Sequence, residues 1–359
     1  MSGPAAARVQ EIAMTQTSNA QETFPLTCEP IGRTIEVHRD ESLLAAALKA
    51  GMALPHSCRN GVCGTCKARI VHGVVDRGQY QAAALSERER EQGYALLCQA
   101  KPRSAVTIEC KVIAAAAGIP VRKMVSRVLE LERLAPDVMR IRLKLPAGHE
   151  LRFLPGQYID IVMNPKIRRS LSLANAPHGQ GWLELHLRNY GGPFSTHVFT
   201  AMKVNDLLRF EGPLGTFFVR EDSDKPMIFV GSGTGFAPIK AMIENALHRG
   251  CERPMILYWG GRRPADLYLN GLANSWVERG LSYVPVVSEA RPDDGWTGRT
   301  GFVHRAVMED FPDLSGVQVY ACGAPVVVDS ARSEFTTQRG LPPEEFYADS
   351  FVPGPAPAA

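Results

Sequence analysis

The sequence predicts a multidomain protein that joins an α+β domain, an antiparallel all-β domain and an α/β domain with a parallel sheet. The chain has 359 residues, and at about 100–200 residues per domain this length allows two or three domains. The hydrophobic pattern changes twice. Short strands around one helix give way near residue 121 to strand after strand, and near residue 222 to alternating strands and helices. These two changes divide the chain into its predicted domains.

The first predicted domain covers residues 23–113 and has a β-grasp-like order of elements. Two short β-rich runs separated by Gly32 predict a hairpin, and Asp40 and Ser86 are suited to cap one helix each. The strands and the first helix are predicted at Pro25–Cys28, Thr34–His38, Glu41–Ala50, Lys67–His72 and Ala105–Val112. Residues 1–22 are predicted to form a disordered tail.

The second and third predicted domains follow a short apolar linker at residues 114–120. Residues 121–221 contain successive strands separated by Gly- and Pro-containing turns, which indicates an antiparallel barrel or sandwich. Residues 222–352 alternate strands with helices, which indicates a parallel sheet with crossover helices. Residues 353–359 form a second predicted tail, rich in Pro and Ala.

Composition and charge argue against several functional classes. The net charge is only +3, so bulk electrostatics predicts no binding to nucleic acid or to a membrane surface. No segment reaches the ~20 apolar residues of a membrane span, and the N-terminus lacks the apolar stretch of a signal peptide. The 8 Cys are too few and too unevenly spaced for a disulfide scaffold. We therefore expect a cytoplasmic protein.

Four cysteines carry the most specific chemical signal. Cys58, Cys63 and Cys66 have the spacing C-x4-C-x2-C, and Cys98 follows after a long gap. This is the plant-type spacing for the thiolate ligands of a 2Fe–2S cluster. Glycines between the first three cysteines allow the backbone to approach sulfur atoms closely. The alternative is a four-Cys zinc site, although zinc sites favour two paired C-x2-C knuckles and only Cys63 and Cys66 form such a pair.

A glycine-rich turn, Gly231–Gly235, gives a second signal, for a nucleotide phosphate. It directly follows an apolar strand and precedes a helix, so its N–H groups can face a phosphate at the helix N-terminus. The strict dinucleotide fingerprint fails because Phe236 occupies its third glycine position. The alternative is a tight strand-to-helix turn without a ligand.

Two further stretches are ambiguous when considered alone. Arg169–Ser172 alternates polar and apolar side chains, as an edge strand does, and Arg is well suited to bind phosphate. Arg188–Thr196 contains glycines and hydroxyls that could serve phosphate, but its pattern is most simply that of a turn.

Taken together and in this order, these stretches resemble the ferredoxin–NAD(P)⁺ reductase superfamily, in the version with an N-terminal plant-type ferredoxin domain. The sequence is similar to the reductase components of bacterial ring-hydroxylating and other oxygenases and, equally, to CDP-6-deoxy-Δ3,4-glucoseen reductases. The resemblance covers Thr23 to Val352. It implies a β-grasp ferredoxin domain, a six-stranded antiparallel β-barrel that binds FAD and an α/β domain that binds NAD(P).

The resemblance also assigns residues to the flavin. Arg169, Ser170, Leu171 and Ser172 match the family's flavin-binding stretch, in which Arg169 is expected to hold the FAD pyrophosphate and Ser172 to lie near the flavin N5. Leu171 stands where the family usually has Tyr. A second flavin-phosphate loop is matched, and Arg188 is assigned to cofactor binding with it. The matching residues of that loop are Gly191, Gly192, Ser195 and Thr196.

For the nicotinamide dinucleotide, the resemblance assigns the glycine turn, with Gly231, Gly233, Thr234 and Gly235, and the pair Cys322 and Gly323. Phe351 resembles a terminal aromatic residue that covers the flavin. Ser172 and Cys322 are thus the two residues expected beside the reacting atoms. Histidines near these segments, among them His56 and His186, are expected to be structural.

The implied activity is the passage of electrons from NADH or NADPH through FAD and the cluster to a separate oxygenase. A flavin is needed because nicotinamide releases two electrons together and a 2Fe–2S cluster accepts one. One alternative is a reductase that serves a deoxysugar-synthesis dehydrase, and another is a non-catalytic electron-carrier module. Electrons are expected to leave through a docking surface around Arg59 and Asn60, unless Arg59 is merely a solvated loop residue.

Overall fold

The computed structural model describes residues 22–116, 118–164, 167–179 and 181–351. Both predicted tails, apart from Glu22, lie outside these residues. The described strands form a five-stranded sheet, two six-stranded sheets and one two-stranded ribbon. Within the described ranges, no helix is long and apolar enough to cross a membrane.

The first sheet has the strand order β2-β1-β7-β3-β5, in which β1 and β7 are parallel and the other pairs antiparallel. Its elements, with the β4–β6 ribbon, are β1 (Thr23–Glu29), β2 (Arg33–His38), α1 (Leu43–Lys49), β3 (Lys67–His72), β4 (Val75–Asp76), α2 (Glu87–Glu91), β5 (Tyr94–Leu96), β6 (Lys101–Pro102) and β7 (Val106–Glu109). Leu26, Leu44 and Leu96 belong to the core between the sheet and α1. The cysteine-bearing loop runs between α1 and β3.

The two helix caps in this domain differ in outcome. Ser86 caps α2 as predicted, and Glu89 completes a reciprocal capping box. The prediction of Asp40 as the cap of α1 is wrong, because Glu41 donates its N–H to His38 in a turn and the helix begins two residues later, at Leu43. Ser42 caps α1 instead, with its hydroxyl accepting from the N–H of Ala45 at 3.2 Å.

The second sheet is antiparallel throughout, with the order β11-β10-β13-β8-β9-β12. An antiparallel bridge between Leu173 and Leu185 joins the chain after β11 to β12 and closes the sheet into a barrel. The elements are β8 (Arg122–Ala135), β9 (Val138–Lys144), β10 (Tyr158–Asn164), β11 (Ile167–Ser172), β12 (Trp182–Arg188), α3 (Pro193–Thr200) and β13 (Leu207–Leu214). Alternate residues such as Val128, Ile141 and Phe210 fill its interior.

The third sheet is entirely parallel, with the order β17-β16-β15-β14-β18-β19. Its elements are β14 (Met227–Ser232), α4 (Phe236–His248), β15 (Met255–Gly261), α5 (Asn270–Ser275), β16 (Leu281–Val287), β17 (Arg299–Thr300), α6 (Val303–Asp310), β18 (Gln318–Gly323), α7 (Pro325–Gln338) and β19 (Phe346–Ser350). The order changes direction between β14 and β18. Ligands of open α/β sheets bind at such a switch point, beyond the carboxyl ends of the strands.

The predicted fold class is confirmed by these sheets. The residue limits of the predicted domains remain predictions.

The barrel and the parallel-sheet domain meet through a buried polar network on the outer face of β12. The Lys240 ammonium on α4 donates to the Ala174 carbonyl at 3.0 Å and lies 3.2 Å from a carboxylate oxygen of Glu184. His186 contacts the same carboxylate and, through Nδ1, the hydroxyl of Tyr268 at 3.0 Å. The third domain therefore covers this part of the barrel wall.

Candidate functional site

The structure brings the four predicted cluster cysteines together as two pairs. Cys58 hydrogen-bonds with Cys63, and Cys66 with Cys98. The bond from Cys63 lowers the pKa of Cys58 to about 6, and the bond from Cys66 lowers that of Cys98 to about 7. The second thiol of each pair has a raised pKa, chiefly because it donates that hydrogen bond. Each pair thus holds one thiol close to its ligand form, the thiolate.

This arrangement fits a 2Fe–2S cluster better than a zinc ion. Each iron of such a cluster takes two thiolates, whereas a structural zinc needs four ligands around one point.

The loop around the thiols also supplies backbone donors. The N–H of Asn60 lies 3.4 Å from the sulfur of Cys58, and that of Gly61 points at Cys98. Gly61 has a φ of +73°, and a Cβ there would lie 2.9 Å from the carbonyl oxygen of Gln79. Only glycine suits this turn, which brings N–H groups to the sulfurs.

The segment just before Cys58 anchors the loop to the barrel. His56 exchanges backbone and side-chain hydrogen bonds with Thr216, and its Nε2 accepts from the N–H of Gly215 at 3.0 Å. The hydroxyl of Tyr158, on β10, donates to the carbonyl of Ser57 at 2.5 Å. All of these groups are buried, so the cysteine loop has a fixed position on the barrel.

The same loop contacts the third domain through Ser57, whose hydroxyl donates to the carboxylate of Asp349. Asp349 lies on β19 opposite Cys322 on β18. Burial raises the pKa of Asp349 to about 6. Ser57 therefore lies where all three domains meet.

Arg59 is partly buried against the barrel. Its guanidinium lies 3.5 Å from a carboxylate oxygen of Asp160 on β10, and that carboxylate accepts from the hydroxyl of Ser170 at 2.6 Å. Arg59 is therefore not merely a solvated loop residue, but its side chain is still 28% exposed, and the exit surface around Arg59 and Asn60 remains a prediction. Asn60 is exposed.

The predicted FAD-phosphate residues meet at the N-terminus of α3. Gly192 is the N-cap of this helix and offers no side-chain cap, so the first N–H groups of the helix are available to an anion. The guanidinium of Arg169 lies 3.5 Å from the point where a Gly192 Cβ would stand. Ser195 and Thr196 lie in the first turn, and Gly191 precedes it with a φ of +76°. The expected loop is thus a helix N-terminus beside an Arg.

The other residues of the flavin stretch divide between the two sides of β11. Leu171 packs against the barrel core, and Ser172 is buried, with its Cα paired to that of Tyr158. The Ser170 side chain instead bonds Asp160 on the outer side. Flavin contacts by these three residues remain predictions, and for Ser170 the backbone is the part left to make one.

Arg188 is already paired. It donates to Asp266 of the third domain at 2.8 Å and lies 3.2 Å from a carboxylate oxygen of Asp137. Another of its nitrogens, Nη1, lies 3.0 Å from the point where a Gly233 Cβ would stand. Arg188 therefore links the barrel to the glycine turn, and its role in cofactor binding remains a prediction.

The glycine turn and the Cys322–Gly323 pair lie side by side at the switch point. Gly231 and Cys322 are partners on the neighbouring strands β14 and β18. A Cβ on Gly235 would lie 2.1 Å from the Cys322 carbonyl oxygen, and one on Gly323 would lie 2.2 Å from the Ser232 hydroxyl. The glycines let the two turns touch, which leaves the strand ends open to a ligand.

Phe351 joins this place by donating its N–H to the carbonyl of Gly323 at 2.8 Å. The Cys322 thiol is buried, which raises its pKa well above the usual range, and Thr234 is buried in the turn. The predicted nicotinamide residues therefore lie together, close to Asp349.

Sequence reasoning missed the residues that hold the domains together: Tyr158, Asp160, Thr216 and Asp349. Each acts through a partner more than 90 residues away in the chain. Neither spacing nor periodicity reports such contacts. One positional signal existed, because His56 and Ser57 directly precede Cys58 and Asp349 lies two residues before Phe351.

Comparison with known proteins agrees with this geometry. Residues 26–103 match the 2Fe-2S iron-sulfur cluster binding domain, residues 126–219 the oxidoreductase FAD-binding domain and residues 229–333 the oxidoreductase NAD-binding domain. The chain is 40% identical to the CDP-6-deoxy-L-threo-D-glycero-4-hexulose-3-dehydrase reductase of Yersinia pestis, over 87% of this chain and 93% of that protein.

Two further relatives serve other systems. The phenol hydroxylase P5 protein of Acinetobacter pittii is 37% identical, over 88% of this chain and 91% of its own length. The crystal structure of the Amycolatopsis cytochrome P450 reductase GcoB is similar, with a TM-score of 0.78 and 34% identity, over 92% of this chain and 99% of that one. This chain belongs to the family of NAD(P)H-dependent flavin and iron–sulfur reductases.

As a member of this reductase family, the protein uses FAD, a 2Fe–2S cluster and NAD(P)H. It transfers electrons from NAD(P)H to a separate partner protein.

Proposed function

We propose that the reductase transfers electrons to an oxygenase component and draws them from NADH. One observation carries the proposal. The cysteine loop is held where all three domains meet, because Ser57 hydrogen-bonds both Tyr158 and Asp349. These bonds keep the cysteine loop at a constant separation from the flavin and nicotinamide sites within one chain. The phenol hydroxylase protein and the P450 reductase among the relatives support an oxygenase as the partner.

Residues of this chain fit each cofactor. The four cysteines fit a 2Fe–2S cluster, and Arg169 with the N-terminus of α3 fits the FAD pyrophosphate. The glycine turn with Cys322–Gly323 fits the nicotinamide dinucleotide. When bound, FAD would supply the exchange between two-electron and one-electron chemistry. The chain's own part is to hold these groups in place and, with buried Cys322 and half-buried Phe351, to limit the access of water to the nicotinamide site.

The test begins with the purified protein. We expect about two iron and two acid-labile sulfide per chain, with one FAD. Anaerobic NADH should bleach the flavin absorbance and then reduce the cluster. The electron paramagnetic resonance signal of the reduced cluster measures the second step. Stoichiometric zinc, four irons, or a flavin that NADH does not reduce would contradict the proposal.

A dehydrase of deoxysugar synthesis is the second candidate partner, supported by the 40% identity to the dehydrase reductase. Reduction of a purified oxygenase component, compared with that of a sugar-nucleotide dehydrase at equal concentration, separates the two. A simple electron carrier is disfavoured, because the glycine turn and the α3 N-terminus are both intact.

The preference for NADH rests on the surface beyond the ends of β15 and β16. Arg263, one of two adjacent arginines here, is bound to the carbonyl of Glu289 at 3.0 Å and to the carboxylate of Asp294 at 2.6 Å, and the other, Arg262, lies 3.7 Å from a carboxylate oxygen of Asp266. The Glu289 side chain is exposed there. A free carboxylate repels a phosphate and accepts from a ribose hydroxyl, and a higher kcat/KM for NADPH than for NADH would refute this preference.

A further inference from the structure

The outer wall of the barrel is unequally covered by the rest of the chain. The third domain lies over β12, and the cysteine loop lies against β10. The outward residues of β8 and β13 remain exposed, and three of them are apolar: Val125, Leu129 and Leu207 are 42%, 47% and 63% exposed. We call this surface, the outward side of β8 and β13, the open wall. Exposed apolar side chains concentrated on one strand pair indicate a contact surface.

The open wall is also basic. Lys123, Arg127 and Arg209 alternate with the apolar residues, because Arg127 pairs with Leu207 and Arg209 with Val125 across the two strands. None of these three cations forms an ion pair with another described residue, and Arg127 bonds only the backbone of Asn205. The wall is about 20 Å long from Lys123 to Leu129, at 3.3–3.4 Å per residue.

The open wall begins beside the cysteine loop. Arg59 of that loop pairs with Asp160, and Asp160 is the strand neighbour of Glu211 on β13. Glu211 is in turn the strand neighbour of Lys123 on β8, which is the first outward cation of the open wall. A protein seated on the open wall would therefore reach the exposed loop residue Asn60.

We propose that the open wall is the docking surface of the electron-accepting partner, and that this partner presents an acidic surface with an apolar centre. The proposal rests on the proposed function, since it locates the exit for the electrons. Charge complementarity selects the partner: unpaired cations attract carboxylates, and the apolar side chains supply the desolvated centre of the contact. A second copy of the chain is disfavoured because it would set this basic wall against itself.

Two haem proteins of opposite charge can test the surface without the natural partner. Cytochrome b5 is acidic and cytochrome c is basic, and each haem iron takes up one electron, which NADH ultimately supplies. Arg209→Glu should slow cytochrome b5 reduction about fivefold at low ionic strength and speed cytochrome c reduction. Both effects should vanish at about 0.5 M salt. Binding of oxidised cytochrome b5, measured calorimetrically, should weaken to a similar degree.

The matched control is Arg279→Glu, which makes the same charge change on an exposed residue of the third domain. It should leave both cytochrome rates unchanged. Leu207→Ser should slow cytochrome b5 reduction at every salt concentration, because it removes an apolar contact and no charge.

If Arg209→Glu and Arg279→Glu changed the two cytochrome reduction rates equally, the open wall would not be the docking surface. Self-association of the wild type that Leu207→Ser abolishes would also overturn the proposal, since the wall would then join two copies. The anaerobic reduction of flavin and cluster by NADH should be the same in every variant. Its absence in the wild type would overturn the proposed function itself, which distinguishes that failure from failure of the docking surface.

Discussion

At the scale of single residues, neighbours in the sequence can have opposite tasks. Arg168 and Arg169 are adjacent on β11, yet Arg168 bonds Glu211 on the outer face at 2.8 Å while Arg169 approaches the N-terminus of α3. The alternation of a strand places them on opposite sides. Sequence reasoning selected Arg169 only by resemblance, because the pattern alone was equally that of an edge strand. Its partner, a helix N-terminus, lay in a stretch that was expected to be a loop.

We predict that Arg169→Ala weakens FAD binding roughly ten- to a hundredfold, since a charge-assisted hydrogen bond to phosphate contributes about 1.5–3 kcal/mol. FAD titration of the flavin-free protein, followed by fluorescence, measures the dissociation constant. Arg168→Ala is the control and should bind FAD as the wild type does. Unchanged affinity in Arg169→Ala would remove this residue from the flavin site.

Coenzyme choice is also decided at single residues. We predict that Glu289→Ser raises kcat/KM for NADPH roughly tenfold relative to NADH, because it removes the repulsion between a carboxylate and the 2′-phosphate. Glu278→Ser is the control, since Glu278 precedes β16 whereas Glu289 follows it, which places them at opposite edges of the sheet. If both variants shift the ratio alike, Glu289 does not face the adenosine ribose.

At the scale of elements, local signals predicted well and contacts between elements did not. The strand β3 has its predicted limits, Lys67–His72, because alternation and β-branched residues act within the strand itself. In contrast, α3 was missed. Its N-cap Gly192 and first residue Pro193 are common in turns, and its stability comes from packing Phe194 and Val198 into the barrel core.

The junction between β12 and α4 shows what such contacts require. Burial alone would raise the pKa of Glu184, but the bond with His186 and the charge of Lys240 hold it well below the usual range. Glu184 is therefore ionised inside the interface. The glutamate and the lysine were unremarkable in the sequence, because only the packed structure removes them from water together.

We predict that Lys240→Met destabilises the protein by about 2 kcal/mol, since it removes the ammonium that lies between Glu184 and Glu244 and leaves Glu184 with Arg142 as its remaining cation. Urea unfolding with saturating FAD measures the effect. Adding Glu184→Gln to Lys240→Met should recover part of the loss, because the buried carboxylate that lost the ammonium is then gone. A double variant as unstable as the sum of the two single variants would show that the ion pair is not what Lys240 contributes.

At the scale of the whole molecule, the number, order and class of the domains were predictable from the sequence, and their mutual arrangement was not. Periodicity changes where one domain gives way to the next, but no periodic signal reports which faces meet. The cysteine loop illustrates the consequence. Its ligands followed from spacing, whereas the ion pair between Arg59 and Asp160 on the barrel could not be predicted from the sequence.

Attachment of the loop to the barrel depends on a neutral His56. Its Nδ1 donates to the carbonyl of Leu54 at 2.8 Å, and its Nε2 accepts from the N–H of Gly215. If Nε2 were protonated, its N–H would face the N–H of Gly215 and this hydrogen bond would be lost. Burial accordingly lowers the pKa of His56 to about 4, below the ~6.5 of an unfolded chain. Between these two values the unfolded state binds more protons, so this contribution to stability is complete above pH ~6.5 and is lost as the pH falls.

We therefore predict that the free energy of unfolding falls by about 1.4 kcal/mol more in the wild type than in His56→Gln between about pH 7.5 and pH 5.5. Glutamine retains an acceptor for Gly215 and does not titrate. His72→Gln, on an exposed strand position, should keep the wild-type pH dependence. The rate of electron passage from flavin to cluster, measured by stopped flow, should stay the same over this range in both proteins, because His56 of the folded protein remains neutral well above its pKa of about 4. A wild type and a His56→Gln variant with the same pH dependence of the free energy of unfolding would show that some other contact fixes the loop.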